Sequence, residues 1–223
     1  MWKLPVLIVN FKLYRQGSGE NARKLLRIME MVSEETGINL IAALNPLDMG
    51  TFGGNVKIPI IIQHADAVEF GAHTGRINLE IAKEKGAEGA LVNHSERRLT
   101  IADIDYLIQR ARELGMLSIV CANNPRVSGA LAFLNPDFIA MEPPELIGGD
   151  ISVSKAKPEA ITETIDAVKS LRNIPVLVGA GIKSGEDVRR AIELGAQGVL
   201  VASGVVKSKD PEKSLRDLIE GMM

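Results

Sequence analysis

The stretch Gly89-Ala90-Leu91-Val92-Asn93-His94-Ser95-Glu96 passes directly from an apolar run into a polar turn. Strands that are buried on both faces of a parallel sheet read as continuous apolar runs, so the first four residues predict such a strand. In α/β proteins the functional side chains gather where parallel strands end. We therefore expect His94 and Glu96 to lie at the rim of the core, where chemistry is possible.

Two more polar side chains follow apolar runs in the same way. Lys12 follows the run 6–11, and Glu142 follows the run 138–141. The carboxyl ends of the parallel strands in one sheet face the same side of the protein. A lysine, a histidine and a glutamate are thus predicted to meet there and to form a candidate active site.

A helix, a glycine and a buried strand follow one another repeatedly along the chain. The glycines are Gly37, Gly86, Gly115 and Gly195, and glycine at this point readily takes the left-handed conformation that ends a helix. The apolar runs predict strands at 5–10, 38–43, 58–63, 89–93, 117–122, 137–142, 175–179 and 197–202. The amphipathic stretches predict helices at 20–36, 78–86, 101–115, 125–134, 157–171, 185–195 and 211–221.

Eight strands alternating with helices predict an α/β fold with eight parallel strands closed into a (β/α)8 barrel with outer helices. The 223 residues suit a single domain, 1–223, of this kind. An open doubly wound sheet is the alternative, but it usually has fewer strands and a Gly-x-Gly-x-x-Gly turn after the first strand, which is missing here. The segment 45–57 contains three glycines that oppose a long helix.

The composition argues against several kinds of binding partner and against a structural metal site. A net charge of −2 gives no reason to expect a nucleic acid or a membrane surface as partner. One cysteine, Cys121, and three histidines are too few and too scattered for a structural zinc site, so we expect no metal. The chain start lacks a signal-peptide cleavage site, and no apolar stretch approaches the roughly 20 residues that span a bilayer. Since a single cysteine can form no intramolecular disulfide, the reducing cytoplasm is the simplest expected location.

The sequences of three loops indicate how a substrate would be bound and shielded from water. Gly179-Ala180-Gly181-Ile182 and Ala202-Ser203-Gly204 follow the seventh and eighth strands, where barrels of this kind usually bind phosphate. The alternative is that these glycines only relieve strain in turns. Pro143-Pro144-Glu145-Leu146-Ile147-Gly148-Gly149 indicates a lid that would exclude water, although an ordinary surface loop is also possible.

The residues beside His94 predict its protonation state. Ser95-Glu96-Arg97-Arg98 can begin a helical turn whose N–H groups point at the imidazole. Such an environment disfavours the imidazolium and favours a neutral ring that can donate a hydrogen bond. Lys12, beside a phosphate site, would offset negative charge on the substrate. Cys121 and the other two histidines, His64 and His73, are interpreted as structural.

These motifs together resemble the triose-phosphate isomerase family. The resemblance rests on Asn10-Phe11-Lys12, on Asn93-His94-Ser95-Glu96, and on Glu142-Pro143 followed by a loop to Ile147-Gly148. It covers nearly the whole chain in order, and the short length looks like the compact archaeal-type branch. It implies the interconversion of dihydroxyacetone phosphate and D-glyceraldehyde 3-phosphate in glycolysis and gluconeogenesis, without a cofactor.

The resemblance also implies a role for each matching residue. Glu142 would be the catalytic base, His94 the electrophile, and Lys12 a catalytic cation. The substrate would be bound by Asn10, Phe11, Lys12, Ile147, Gly148, Gly181, Ala202 and Ser203. Ser95 and Glu96 would support the site. Thr74 would reach a partner subunit in a homodimer or homotetramer.

Two other functions are left open by the residues themselves. A Schiff-base aldolase on a phosphate-binding barrel needs a lysine at the end of a strand, and the sixth strand ends in Glu142 instead. A binding or scaffold protein could keep the barrel without turnover, although nothing in the sequence demands it.

Overall fold

Eight parallel strands close into a barrel in the computed structural model, which describes residues 3–143 and 153–223. Each strand pairs with its neighbours in the chain, and β8 pairs with β1 to complete the cylinder. The strands are β1 Val6–Asn10, β2 Asn39–Leu44, β3 Ile60–Ile62, β4 Gly89–Val92, β5 Leu117–Ala122, β6 Phe138–Met141, β7 Val176–Val178 and β8 Gly198–Val201. The predicted barrel is confirmed, and the strand ends lie within about two residues of the predicted ones.

Helices surround the barrel, and all seven predicted helices are confirmed. They are α1 Glu20–Thr36, α3 Leu79–Glu84, α4 Ile101–Glu113, α5 Pro125–Ala132, α7 Pro158–Lys169, α8 Gly185–Glu193 and α10 Pro211–Glu220. Thr100 and Ser184 begin α4 and α8 with capping boxes, which satisfy N–H groups that have no partner inside the helix. Among the residues that the structure describes, no helix is long and apolar enough to cross a membrane.

Short helices that were not predicted fill several loops. They are a 3₁₀ helix at Arg15–Gly17, α2 Pro46–Phe52, α6 Val153–Ala156 and α9 Ser203–Val206. The helix α2 forms despite Gly50 because Asn45 accepts the N–H groups of Leu47 and Asp48, and because proline suits the first helical position. A strong start signal therefore yields one short helix within the glycine-rich segment 45–57.

The four glycines that were predicted to end helices all adopt positive φ. The values are 69° at Gly37, 90° at Gly86, 64° at Gly115 and 99° at Gly195. A side chain would be strained in this conformation, and glycine is not. The recurrence of glycine before a strand is therefore a backbone requirement of this fold.

The barrel has apolar side chains on both faces of its strands. Val6 and Ile8 point into the barrel interior, whereas Leu7 and Val9 face the surrounding helices. Side chains alternate between the two faces along a strand. Asn10 comes two residues after Ile8 and continues the inward-facing series at the end of β1. Polar side chains are thereby delivered to the mouth of the cylinder.

Candidate active site

His94 and Glu142 converge at the carboxyl ends of β4 and β6. Nε2 of His94 lies 3.4 Å from Oε1 of Glu142, and the two side chains are only 8% and 3% exposed. Both border one cleft at the mouth of the barrel. The other predicted residues that line this cleft are Asn10, Lys12, Gly181, Ala202 and Ser203. The mouth of the barrel therefore gathers a carboxylate, an imidazole and an ammonium group around one small space.

The orientation of His94 is set by the turn that follows it. The backbone N–H of Glu96 donates to Nδ1 of His94 at 3.1 Å. A ring nitrogen that accepts a hydrogen bond carries no proton, so the ring is neutral and its hydrogen is on Nε2. The carboxylate of Glu96 lies 3.7 Å from Nδ1, beyond ordinary hydrogen-bond distance. The proton of the imidazole thus faces Glu142 and the cleft.

Glu142 is buried between neighbouring strand ends. Its backbone N–H donates to the Ala122 carbonyl at 2.8 Å, and its Oε2 has no hydrogen-bond partner among the described residues. Gly179 makes room for the side chain, because a Cβ there would lie 2.8 Å from Cγ of Glu142. The thiol of Cys121 is also adjacent; burial, and secondarily the charge of Glu142, raise its pKa well above its usual value. Cys121 therefore stays protonated and acts as packing.

Lys12 is held over the cleft in an uncommon backbone conformation. Its φ is 49°, in the left-handed region. Asn10 Oδ1 accepts the Lys12 N–H at 3.0 Å, and Gln63 Nε2 donates to the Lys12 carbonyl at 3.1 Å. The ammonium group donates to Oε1 of Glu96 at 2.8 Å. These polar contacts therefore fix the backbone of Lys12 and the position of its ammonium group.

The loops after β7 and β8 form the opposite wall with small residues. Gly179 and Gly181 border the cleft on one side, and Ala202 and Ser203 border it on the other. Gly181 has a φ of 70°, a left-handed conformation that glycine adopts without strain and residues with a side chain rarely adopt. Short side chains leave backbone groups close to the cleft, as the phosphate-cradle prediction requires.

Some predicted site residues do not line the cleft, and others lie outside the described residues. Phe11 has an exposure of 0% and packs in the layer between barrel and helices, so its ring does not line the cleft. The Ser95 hydroxyl is buried and has no hydrogen-bond partner within the described ranges. Thr74 lies on the exposed loop before α3. Ile147, Gly148 and the rest of the predicted lid from Pro144 onward fall outside the described residues.

Other cleft residues were missed by the sequence analysis. Tyr14 and Lys183 both line the cleft, and each comes two residues after a residue that was predicted. The ammonium group of Lys207 lies 4.3 Å from the centre of the Tyr14 ring. Their positions close to the motif residues could have indicated that they belong to the site. The sequence does not show, however, in which direction their side chains point. Within residues 3–143 and 153–223, no group of three His, Cys, Asp or Glu side chains could hold a metal ion.

Known proteins similar to this chain share one family. The family model described as "Triosephosphate isomerase" matches residues 5–222. The triosephosphate isomerase of Methanothermus fervidus is 52% identical over 219 residues, which cover 98% of this chain and 99% of the relative. That of Archaeoglobus fulgidus is 49% identical, with 98% and 99% covered. That of Methanocaldococcus jannaschii is 47% identical, with 96% and 99% covered. The chain belongs to the triosephosphate isomerase family.

Proposed function

We propose that this protein interconverts dihydroxyacetone phosphate and D-glyceraldehyde 3-phosphate. The observation that carries the proposal is the 3.4 Å approach of a neutral His94 to Glu142 inside one cleft. The names of the similar archaeal proteins support the same activity. A carboxylate and a hydrogen-bond donor on either side of a small space suit proton transfer next to a carbonyl group.

Glu142 acts as the base in the proposed reaction. Its carboxylate removes a proton from the carbon next to the substrate carbonyl, and the electron pair of that C–H bond moves to form an enediolate. Oε2 has no partner among the described residues, so it can accept this proton without breaking a protein hydrogen bond. The same carboxyl group then returns the proton to the neighbouring carbon, and the hydroxyl proton passes from one substrate oxygen to the other, so that the new carbonyl forms on the carbon that lost its hydrogen. The reaction is balanced within one substrate and requires no cofactor or metal.

His94 and Lys12 stabilise the charge that develops on oxygen. The Nε2 hydrogen of His94 points into the cleft because Nδ1 is occupied by the Glu96 N–H. A fixed donor in a site that excludes water stabilises an oxyanion more than water would. The ammonium group of Lys12, 13% exposed, adds a positive charge whose position Glu96 and the loop backbone define.

The opposite wall is proposed to hold the phosphate group. Backbone groups of Gly181, Ala202 and Ser203 would bind it, with Ile147 or Gly148 completing the site from the segment outside the described residues. Asn10 would contact a substrate oxygen. For Phe11, full burial supports a role in anchoring the loop that carries Lys12, rather than the direct contact that was predicted.

We also propose that the chain is one domain, 1–223, and that it works as a homodimer or homotetramer in the cytoplasm, in glycolysis and gluconeogenesis. A second cavity borders Lys12 and His94 and opens beside Leu13, whose side chain is 82% exposed. Thr74 of a partner subunit would approach the site through this cavity. No membrane or nucleic-acid partner is expected.

The decisive experiment is turnover of glyceraldehyde 3-phosphate by the wild type and by Glu142→Gln, with light scattering on the same samples. The amide has nearly the same shape but cannot take up the proton, so kcat should fall by about 10²–10⁴-fold. Tight binding of phosphoglycolate by a wild type without turnover would instead favour a binding protein. A covalent adduct on Lys12 after borohydride reduction would favour an aldolase.

A further inference from the structure

We propose that Asn93 is a positioning residue that fixes His94 relative to Glu142. This inference rests on the proposed function. Asn93 directly precedes His94 and is itself only 7% exposed. It lines neither of the two cavities at the mouth of the barrel that His94 borders. Its effect on the reaction must pass through the residues that it holds.

The backbone of Asn93 turns sharply at the end of β4. Its φ is 61°, in the left-handed region, which few residues other than glycine adopt without strain. Asparagine tolerates this conformation better than most residues. Glycine would adopt it with less strain but would have no side chain. The presence of asparagine here therefore indicates that its amide group contributes something that the turn alone does not need.

The Asn93 side chain joins two loops of the barrel mouth. Its Nδ2 donates to the Cys121 carbonyl near the end of β5 at 3.0 Å, and its Oδ1 accepts the Leu99 N–H before α4 at 3.0 Å. The Asn93 carbonyl accepts a third bond, from Nη1 of Arg98, at 3.0 Å. The turn that carries His94 is thus closed on itself and tied to the next strand.

The strand that Asn93 holds is also the strand that holds Glu142. The Glu142 N–H donates to the Ala122 carbonyl at 2.8 Å, one residue after the carbonyl that Asn93 contacts. The Cys121 side chain lies against the Glu142 carboxylate. Asn93 therefore connects the imidazole, one residue away along the chain, to the backbone that carries the base. A bond lost here should let the 3.4 Å approach between His94 and Glu142 vary.

The test compares Asn93→Gly with Asn124→Gly. Glycine at position 93 keeps the turn but removes both side-chain bonds. A misplacement of about 1 Å between reacting groups can lower a rate by about 10²-fold, so we expect kcat to fall by about 10- to 100-fold. KM should change less than about threefold, since the proposed phosphate wall lies across the cleft. Asn124 caps α5 by accepting the Val127 N–H, and its glycine variant should keep kcat within about twofold of the wild type.

Asn93→Asp supplies a readout that a purely structural role would not move. The aspartate can still accept from Leu99, but it can donate to the Cys121 carbonyl only when it is protonated. The ratio of its kcat to that of the wild type should therefore rise as the pH falls from about 8 to about 5, the range that a buried carboxyl group can reach. The corresponding ratio for Asn93→Gly should be flat.

Thermal unfolding of every variant sets an assay temperature at which all are folded. The inference is overturned if Asn93→Gly keeps kcat within about twofold of the wild type, or if its KM rises as much as its kcat falls. It is also overturned if Asn124→Gly loses as much activity as Asn93→Gly, or if the ratio of the kcat of Asn93→Asp to that of the wild type does not change with pH. Turnover by the wild type separates this inference from the proposed function. An inactive wild type refutes the function, whereas an active wild type with an equally active Asn93→Gly refutes only the role of Asn93.

Discussion

The two walls of the cleft are built in different ways. The wall formed by β4 and β6 carries His94 and Glu142, whose side chains are proposed to react. The Glu96 N–H bonds the His94 ring, and the Ala122 carbonyl bonds the backbone N–H of Glu142. On the wall formed by β7 and β8, small residues such as Gly181 bring the backbone itself to the cleft. Changes on the first wall should therefore lower kcat, and changes on the second should raise KM.

Replacement of His94 by alanine is the largest test of this difference. It removes the proposed donor to the developing oxyanion and leaves the glycine wall intact. Loss of one such donor costs about 2.7–4 kcal/mol, so kcat should fall by about 10²–10³-fold with a much smaller change in KM. Steady-state kinetics in both directions measure the effect, and thermal unfolding serves as the control for folding. A KM that rises as much as kcat falls would show that the two walls do not act separately.

Gly179→Ala tests a point where the two walls touch. A Cβ at this position would lie 2.8 Å from Cγ of Glu142, so the carboxylate must move. Overpacking of this kind typically costs about 1–3 kcal/mol. Displacement of the proposed base should lower kcat by about tenfold or more, although the mutation is on the wall formed by β7 and β8.

The matched control for that variant is Gly50→Ala, where the same methyl group meets no heavy atom within 4 Å. It should leave kcat unchanged. Equal kinetics for Gly179→Ala and Gly50→Ala would contradict the view that Gly179 is required to seat Glu142.

The smallest expected effect concerns His64, in the neighbouring cavity. Burial lowers its pKa, with a smaller contribution in the same direction from Arg97 and Arg76, although the hydrogen bond and charge of Asp66 act in the opposite direction. The unfolded chain therefore binds more protons than the native state as the pH falls below the ordinary histidine pKa of about 6.5. The native state should lose stability over this interval.

Chemical denaturation of the wild type and His64→Asn at several pH values measures this effect. The variant should lose less stability than the wild type between neutral pH and the acidic side of the interval. An identical pH dependence would show that His64 is not a buried neutral histidine.

The sequence predicted the parts of this protein that depend on local pattern. Continuous apolar runs indicated strands buried on both faces, and glycines such as Gly37 and Gly115 marked helix ends because only their backbone takes positive φ without strain. The order of the elements then predicted the barrel and brought His94 and Glu142 to one rim. The direction of the Tyr14 side chain and the helix α2 were missed, because side-chain packing and a cap made by Asn45 decided them.

Sequence alone therefore determined the barrel and the residue types at its mouth, since both follow from periodicity and from positions at strand ends. Only the tertiary structure decided how those groups are held. The bond from Asn93 to the Cys121 carbonyl, the support of Lys12 by Gln63, and the space that Gly179 leaves for Glu142 all join residues far apart in the chain. Such contacts depend on the register between strands and on how closely side chains from different strands pack. The pattern of residues along the chain specifies neither of these.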